Sequence, residues 1–131
     1  MPRKVPIVSE LMTRLPVELD RTDTIADAKK AMAKHGIRHI PVMAGAKLYG
    51  IVSERDVDIL TAATAGANMT LTLAELCAPD PYRVLPTAKI TEVAAEMAER
   101  RIGSVVVVDA DVVVGIVTAT DMMRALVDAY S

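Results

Sequence analysis

Two stretches of this chain could hold a small ligand: Ser53-Glu54-Arg55-Asp56 and Thr118-Ala119-Thr120-Asp121. Each places a hydroxyl three residues before a carboxylate. An ionised Asp is acceptor-only, with two oxygens, and a ribose 2′,3′-diol offers two donors at matching spacing. Such a carboxylate reads sugar and repels phosphate. The hydroxyls of Ser53 and Thr118, with the N–H groups of a helix's first turn, can hold a phosphate. The same spacing is equally that of a capping box, in which the acid accepts from the backbone of the cap residue. Spacing alone leaves both readings open. Arg55 has Thr120 as its counterpart, so the two turns differ by a guanidinium.

Each turn closes a longer phrase, Gly50-Ile51-Val52 and Gly115-Ile116-Val117, 65 positions apart. Sliding the chain by 65 aligns 9–66 with 74–131 without a gap. Thirteen of the 58 pairs are identical, among them Pro16/Pro81, Thr22/Thr87, Ile25/Ile90, Met32/Met97 and Asp56/Asp121, which marks a tandem duplication. The boundaries read as repeat 1 over 9–66 and repeat 2 over 74–131, with a linker at 64–73.

Each repeat reads β-α-β-β-α. A short extended stretch, Val17–Leu19 or Tyr82–Leu85, leads to an amphipathic helix carrying Ile25, Ala28 and Met32, or Ile90, Val93, Ala94 and Met97. Thr24 and Asp27 suit an N-cap and its acidic first turn, and Gly36 suits the stop. Two strands follow, "HIPVM" and "KLYGIVS" or "SVVVV" and "VVVGIVT", apolar enough for burial on both faces. Pro41 limits its strand to an edge or a bulge. The closing helices span Glu54–Thr64 and Ala119–Ala129.

Composition narrows the function classes. The chain has 131 residues, 52% of them hydrophobic, and no Trp or Phe, so the core is aliphatic. Aromatic stacking of single-stranded nucleic acid has little to work with. A net charge of -2 without a basic run gives no support for nucleic-acid or membrane-surface binding. A single cysteine, Cys77, fits a reducing, cytoplasmic setting. The N-terminus has no apolar core of a signal peptide, and no apolar run spans a membrane. No Gly-rich phosphate loop and no convincing metal site occur. His35 and His39 lie across a helix–strand junction, with Cys77 remote.

The two segments "HGIRHIPVMAGAKLYGIVSERDV" and "RRIGSVVVVDADVVVGIVTATDM" resemble a pair of cystathionine β-synthase (CBS) domains, and the resemblance runs from about Ser9 to Ala129. It implies an α/β fold of α+β type, with two repeats packed pseudo-symmetrically through their sheets as a Bateman-type module. It implies two clefts that take adenine nucleotides (AMP, ADP or ATP) or S-adenosylmethionine as regulatory ligands, with no obligatory cofactor and no catalysis. By that pattern Asp121 and Thr118 join Thr22, Ile37, Arg38, His39 and Ile40. Asp56 and Ser53, with Arg55 beside them, join Thr87, Ile102, Gly103, Ser104 and Val105. Apolar flanks would sandwich the base, although each of Ile37, Ile40, Ile102 and Val105 reads equally as core.

The closing helices carry more Met, Leu, Ile and Ala than one small sandwich needs inside. This predicts a homodimer burying Met122, Met123, Leu126 and Ile59. The expectation is a ligand sensor that modulates a protein partner in trans. The alternatives are a dimerising scaffold without ligand, or a small nucleotide-processing enzyme.

Overall fold

The computed structural model describes residues 4–67, 70–77 and 79–131. The chain forms two compact units, and neither coincides with one sequence repeat. One comprises 15–81, the other the leading segment to Arg14 together with 82–131.

The first-repeat unit holds β2 (Leu19–Asp20), α2 (Ile25–His35), β3 (His39–Ala44), β4 (Lys47–Ser53), α3 (Glu54–Thr64) and α4 (Leu73–Leu76). Its sheet has the order β2-β3-β4, parallel then antiparallel. The second-repeat unit holds α1 (Val8–Leu11), β1 (Thr13–Arg14), β5 (Arg83–Val84), α5 (Ile90–Arg100), β6 (Ser104–Asp109), β7 (Val112–Thr118) and α6 (Ala119–Ala129). Its sheet has the order β1-β7-β6-β5. The closing helices and the second strand of each hairpin fall where the periodicity puts them. The first extended stretches are shorter than expected, two residues each.

Local chemistry explains the helix ends. Thr24 Oγ1 accepts from the Asp27 N–H at 3.2 Å and Asp27 Oδ2 accepts from the Thr24 N–H at 3.0 Å, a closed capping box. Those bonds hold the Asp27 carboxyl below the usual range. Gly36 stops α2 in the left-handed region at φ 62°, where a glycine carries no Cβ penalty.

Each unit has one aliphatic core. In the first, Ile25, Ala28 and Met32 of α2 meet Ile40 and Val42 of β3, Val52 of β4 and Val57 of α3. In the second, Val93 and Met97 of α5 meet Val105, Val107 and Val117. Pro41 and Met43, on the opposite side of β3 from Ile40 and Val42, are buried too, as are Val106 and Ile116. The strands are thus covered on both faces, as their continuous apolar runs require.

The units exchange their leading segments. Leu73 and Cys77 enter the core of the first repeat, while Val8 enters that of the second. The backbone bonds match position for position. Leu73 N–H donates to Asp23 O at 2.8 Å, as Val8 N–H does to Ala88 O at 2.8 Å. Ala74 N–H reaches Arg21 O at 3.0 Å, as Ser9 N–H reaches Pro86 O at 2.9 Å. The expected linker at 64–73 therefore contains the end of α3 and the start of α4. Its positions 68 and 69 lie outside the described residues.

Pro41 departs from expectation. It sits in the central strand of its sheet, not at an edge, and faces Ile51. Its counterpart Val106 donates its N–H to Tyr82 O at 3.0 Å, whereas pairing of β2 with β3 begins only at Val42. The bond that Val106 makes thus has no counterpart at Pro41, which lacks an N–H, and the pairing starts one residue later in the first repeat. The register shift one residue later recurs between Val107 and Val108, so the proline is not its cause.

Candidate functional site

The two Ser/Thr-x-x-Asp turns sit where β4 runs into α3 and where β7 runs into α6. In both, the hydroxyl caps the helix: Ser53 Oγ accepts from Asp56 N–H at 3.1 Å, and Thr118 Oγ1 from Asp121 N–H at 3.4 Å. The first helical N–H is also spent, on Arg38 O at 2.8 Å in one repeat and on Gly103 O at 2.9 Å in the other. Fewer first-turn donors remain for a phosphate than the sequence suggests.

The carboxylates part company here. Asp121 Oδ2 accepts from Thr118 N–H at 2.8 Å and from Thr118 Oγ1 at 3.1 Å, which closes the box. At Ser53 only the hydroxyl side of the box is formed. Asp56 is exposed, and its carboxylate has no hydrogen-bond or ion-pair partner among the described residues.

The strand ladders bring the neighbouring residues together within each unit. His39 is paired with Ser53, and Ser104 with Thr118. Arg38 and Gly103, one residue earlier, are exposed, and Ile37 and Ile102 are half-buried against their cores. Ile40 and Val105 are 0% and 1% exposed and belong to the cores of their units. Gly103 needs no special conformation, and a Cβ there would meet nothing within 4 Å.

Thr22 and Thr87 occupy the turn before the first helix of each repeat, both exposed. Thr22 donates its hydroxyl to Asp20 Oδ2 at 2.7 Å and its N–H to the same oxygen at 3.0 Å. These bonds hold the Asp20 carboxyl below its usual range, chiefly through the hydroxyl. Leu85 replaces Asp20 in the second repeat, so Thr87 lacks that anchor. The Asp-x-Thr spacing was the available signal for this contact. Among the described residues no group of three His, Cys, Asp or Glu could hold a metal ion. Burial pushes the Cys77 thiol up, which keeps it protonated.

The architecture is thus a duplicated α/β unit with a hydroxyl–carboxylate turn at one end of each sheet. The CBS domain family matches at residues 8–59 and 73–128, and the chain belongs to that family as a tandem pair. The chain is 30% identical over 123 residues to inosine-5′-monophosphate dehydrogenase of Korarchaeum cryptofilum; the match covers 93% of this chain and 25% of that protein, about a quarter of its length. Among solved structures, the CBS domain pair of protein MJ0100, in complex with 5′-methylthioadenosine and S-adenosyl-L-methionine, is 26% identical, with a TM-score of 0.79 over 96% of this chain and 99% of that one. The hexameric CBS-CP12 protein of bloom-forming cyanobacteria is 26% identical, with a TM-score of 0.83 over 99% of this chain and 77% of that one. No helix among the described residues is long and apolar enough to cross a membrane.

Proposed function

We propose that this chain is a regulatory module that binds an adenosyl ligand (AMP, ADP, ATP or S-adenosylmethionine) and modulates a protein partner in trans, in the cytoplasm and without catalysis of its own. The observation that carries the reading is the exposed carboxylate of Asp56 beside the Ser53 cap, repeated as Thr118 and Asp121. It stands in a chain similar to a domain pair that holds two adenosyl ligands. A carboxylate at that place suits the ribose diol. Exposed Arg38 and Arg55 are the cations nearest in sequence for a phosphate. The ligand would act by differential affinity for two states of the module.

Thermal melting with AMP, ATP, S-adenosylmethionine and 5′-methylthioadenosine in turn tests it. A ligand at a hundred times its dissociation constant adds about 2.7 kcal/mol of stability, and the melting point rises. The Asp56→Ala, Asp121→Ala double variant should lose that rise. A wild type that no adenosyl compound stabilises would sink the reading. The scaffold alternative would then hold, favoured by the closed capping box at Thr118 and Asp121.

A further inference from the structure

The two repeats are alike in fold but opposite in charge on one helix. The surface of α2 carries exposed Lys29, Lys30 and Lys34, and its one acid, Asp27, is held in the cap at Thr24. At the corresponding place in the second repeat α5 carries Glu92, Glu96 and Glu99, and its one base, Arg100, is bound to Glu96 at 2.6 Å. Lys34 and Glu99 hold the same repeat position, 65 residues apart. We infer that α2 of one copy of this chain docks against α5 of a second copy, so that two chains associate first repeat to second repeat and not like to like.

Neither helix balances its charge by itself. Lys30 and Lys34 stand one turn apart, a spacing at which like charges repel. Among the described residues none of the three lysines forms a salt bridge, and neither do Glu92 and Glu99. Contact between two copies of α2 would add lysine to lysine, and contact between two copies of α5 would add glutamate to glutamate. Contact of α2 with α5 sets opposite signs together. Such charges select against the wrong pairing more than they add affinity to the right one.

The neighbouring helices agree in size. Within each unit α3 lies beside α2, and α6 beside α5. α6 exposes Leu126, Val127 and Tyr130, and the same repeat positions at α3 hold the smaller Thr61, Ala62 and Ala65. Large side chains of one copy then pack on small ones of the other, whereas like pairing sets large on large and small on small. The apolar side chains supply the affinity and the charged ones the orientation. A second copy is the fitting occupant because one chain carries both halves of the complement, at equivalent places of equivalent units. With α2 on the second copy's α5, and α5 on its α2, the assembly closes about a two-fold axis. The inference does not depend on the adenosyl-binding reading.

Sedimentation equilibrium of the full chain at low and high salt tests it. Wild type is compared with three variants. One carries Lys29→Glu, Lys30→Glu and Lys34→Glu, the second carries Glu92→Lys and Glu99→Lys, and the third carries all five changes. The wild type should dimerise, more weakly as salt screens the charges. Each partial reversal should weaken association at low salt by about tenfold or more, since it turns several attractions into repulsions. The variant with all five changes has both signs exchanged and should return to near wild-type affinity. Recovery on further substitution also separates a charge effect from damage to the fold. Under like-to-like pairing each partial reversal exchanges one repulsion for another and affinity stays put. Partial reversals that leave the dimer unchanged, a five-change variant no tighter than the partial ones, or a wild type that stays monomeric each overturns the inference.

Discussion

At the scale of single residues, the glycine that opens each repeated phrase has a steric cause in the second repeat. A Cβ on Gly115 would lie 2.7 Å from Thr13 O and 2.9 Å from Met12 Sδ. Gly115 is paired with Arg14, and Gly50 bridges to Pro79 at the matching place. In the second repeat the glycine therefore makes room for the incoming leading segment. Gly115→Ala must push that backbone away. We expect a loss of about 1–3 kcal/mol in urea unfolding, the usual range for overpacking, despite the entropy alanine removes from the unfolded chain. An unchanged midpoint would mean that the segment yields freely. The site residues follow a similar lesson. Thr118 and Asp121 were legible as chemistry and as a cap; the structure caps both helices with the hydroxyl and closes the box with the carboxylate only at Asp121.

At the scale of elements, the helices and hairpins were legible because their periods are strong. Leading segments were not, since "SELM" and "LAELC" look alike and each abuts its own repeat in sequence. Nothing local says that a short helix packs on the other copy's strands. The structure gives Val8 to the core with Val105, Val107 and Val117, and Leu73 to the core with Ile40 and Val52. This sets a crossed prediction. Leu73→Ala should cost about 2–5 kcal/mol by transfer and cavity terms, and amide exchange should quicken in β3 and β4. Val8→Ala, a smaller truncation, should quicken exchange in β6 and β7 instead. Exchange that quickens in the sequence-adjacent repeat would contradict the exchanged arrangement. The proline in β3 belongs to this scale as well. Strand propensity disfavours it in a central position, and the neighbouring pairing starts one residue past it, at Val42, where the second repeat pairs from Val106.

At the scale of the whole molecule, the closing helix α6 is the clearest loose end. Met123, Leu126, Val127 and Tyr130 are exposed, Leu126 by 60%, and Ile59 on α3 by 57%. Met122 differs from expectation: it packs against its own repeat's core with Ala119 and Val114. The remaining apolar side chains suit a homodimer, which we propose as the state in solution. Sedimentation analysis should give a mass of two chains for the wild type. Leu126→Glu should give one chain, with melting of the isolated monomer changed by no more than about 0.5 kcal/mol, as for other exposed substitutions. A wild type that sediments as a monomer rejects the dimer. A larger assembly, like that of the hexameric relative, would move the question to which faces close it.

The sequence by itself determined the duplication, the β-α-β-β-α order, the helix caps at Thr24 and Gly36, and the two hydroxyl–carboxylate turns. These follow from local periods, turn residues and a 65-residue self-match, none of which needs a partner. Tertiary structure decided which repeat each leading segment completes, which flanking aliphatics are core, and which carboxylate is free. Those outcomes depend on contacts between residues far apart in the chain, or on which of two nearly equal hydrogen bonds an Asp makes. Ile40 and Ile37 have the same chemistry; only the packing of α2, β4 and α3 puts one of them wholly in the core and leaves the other half-buried against it.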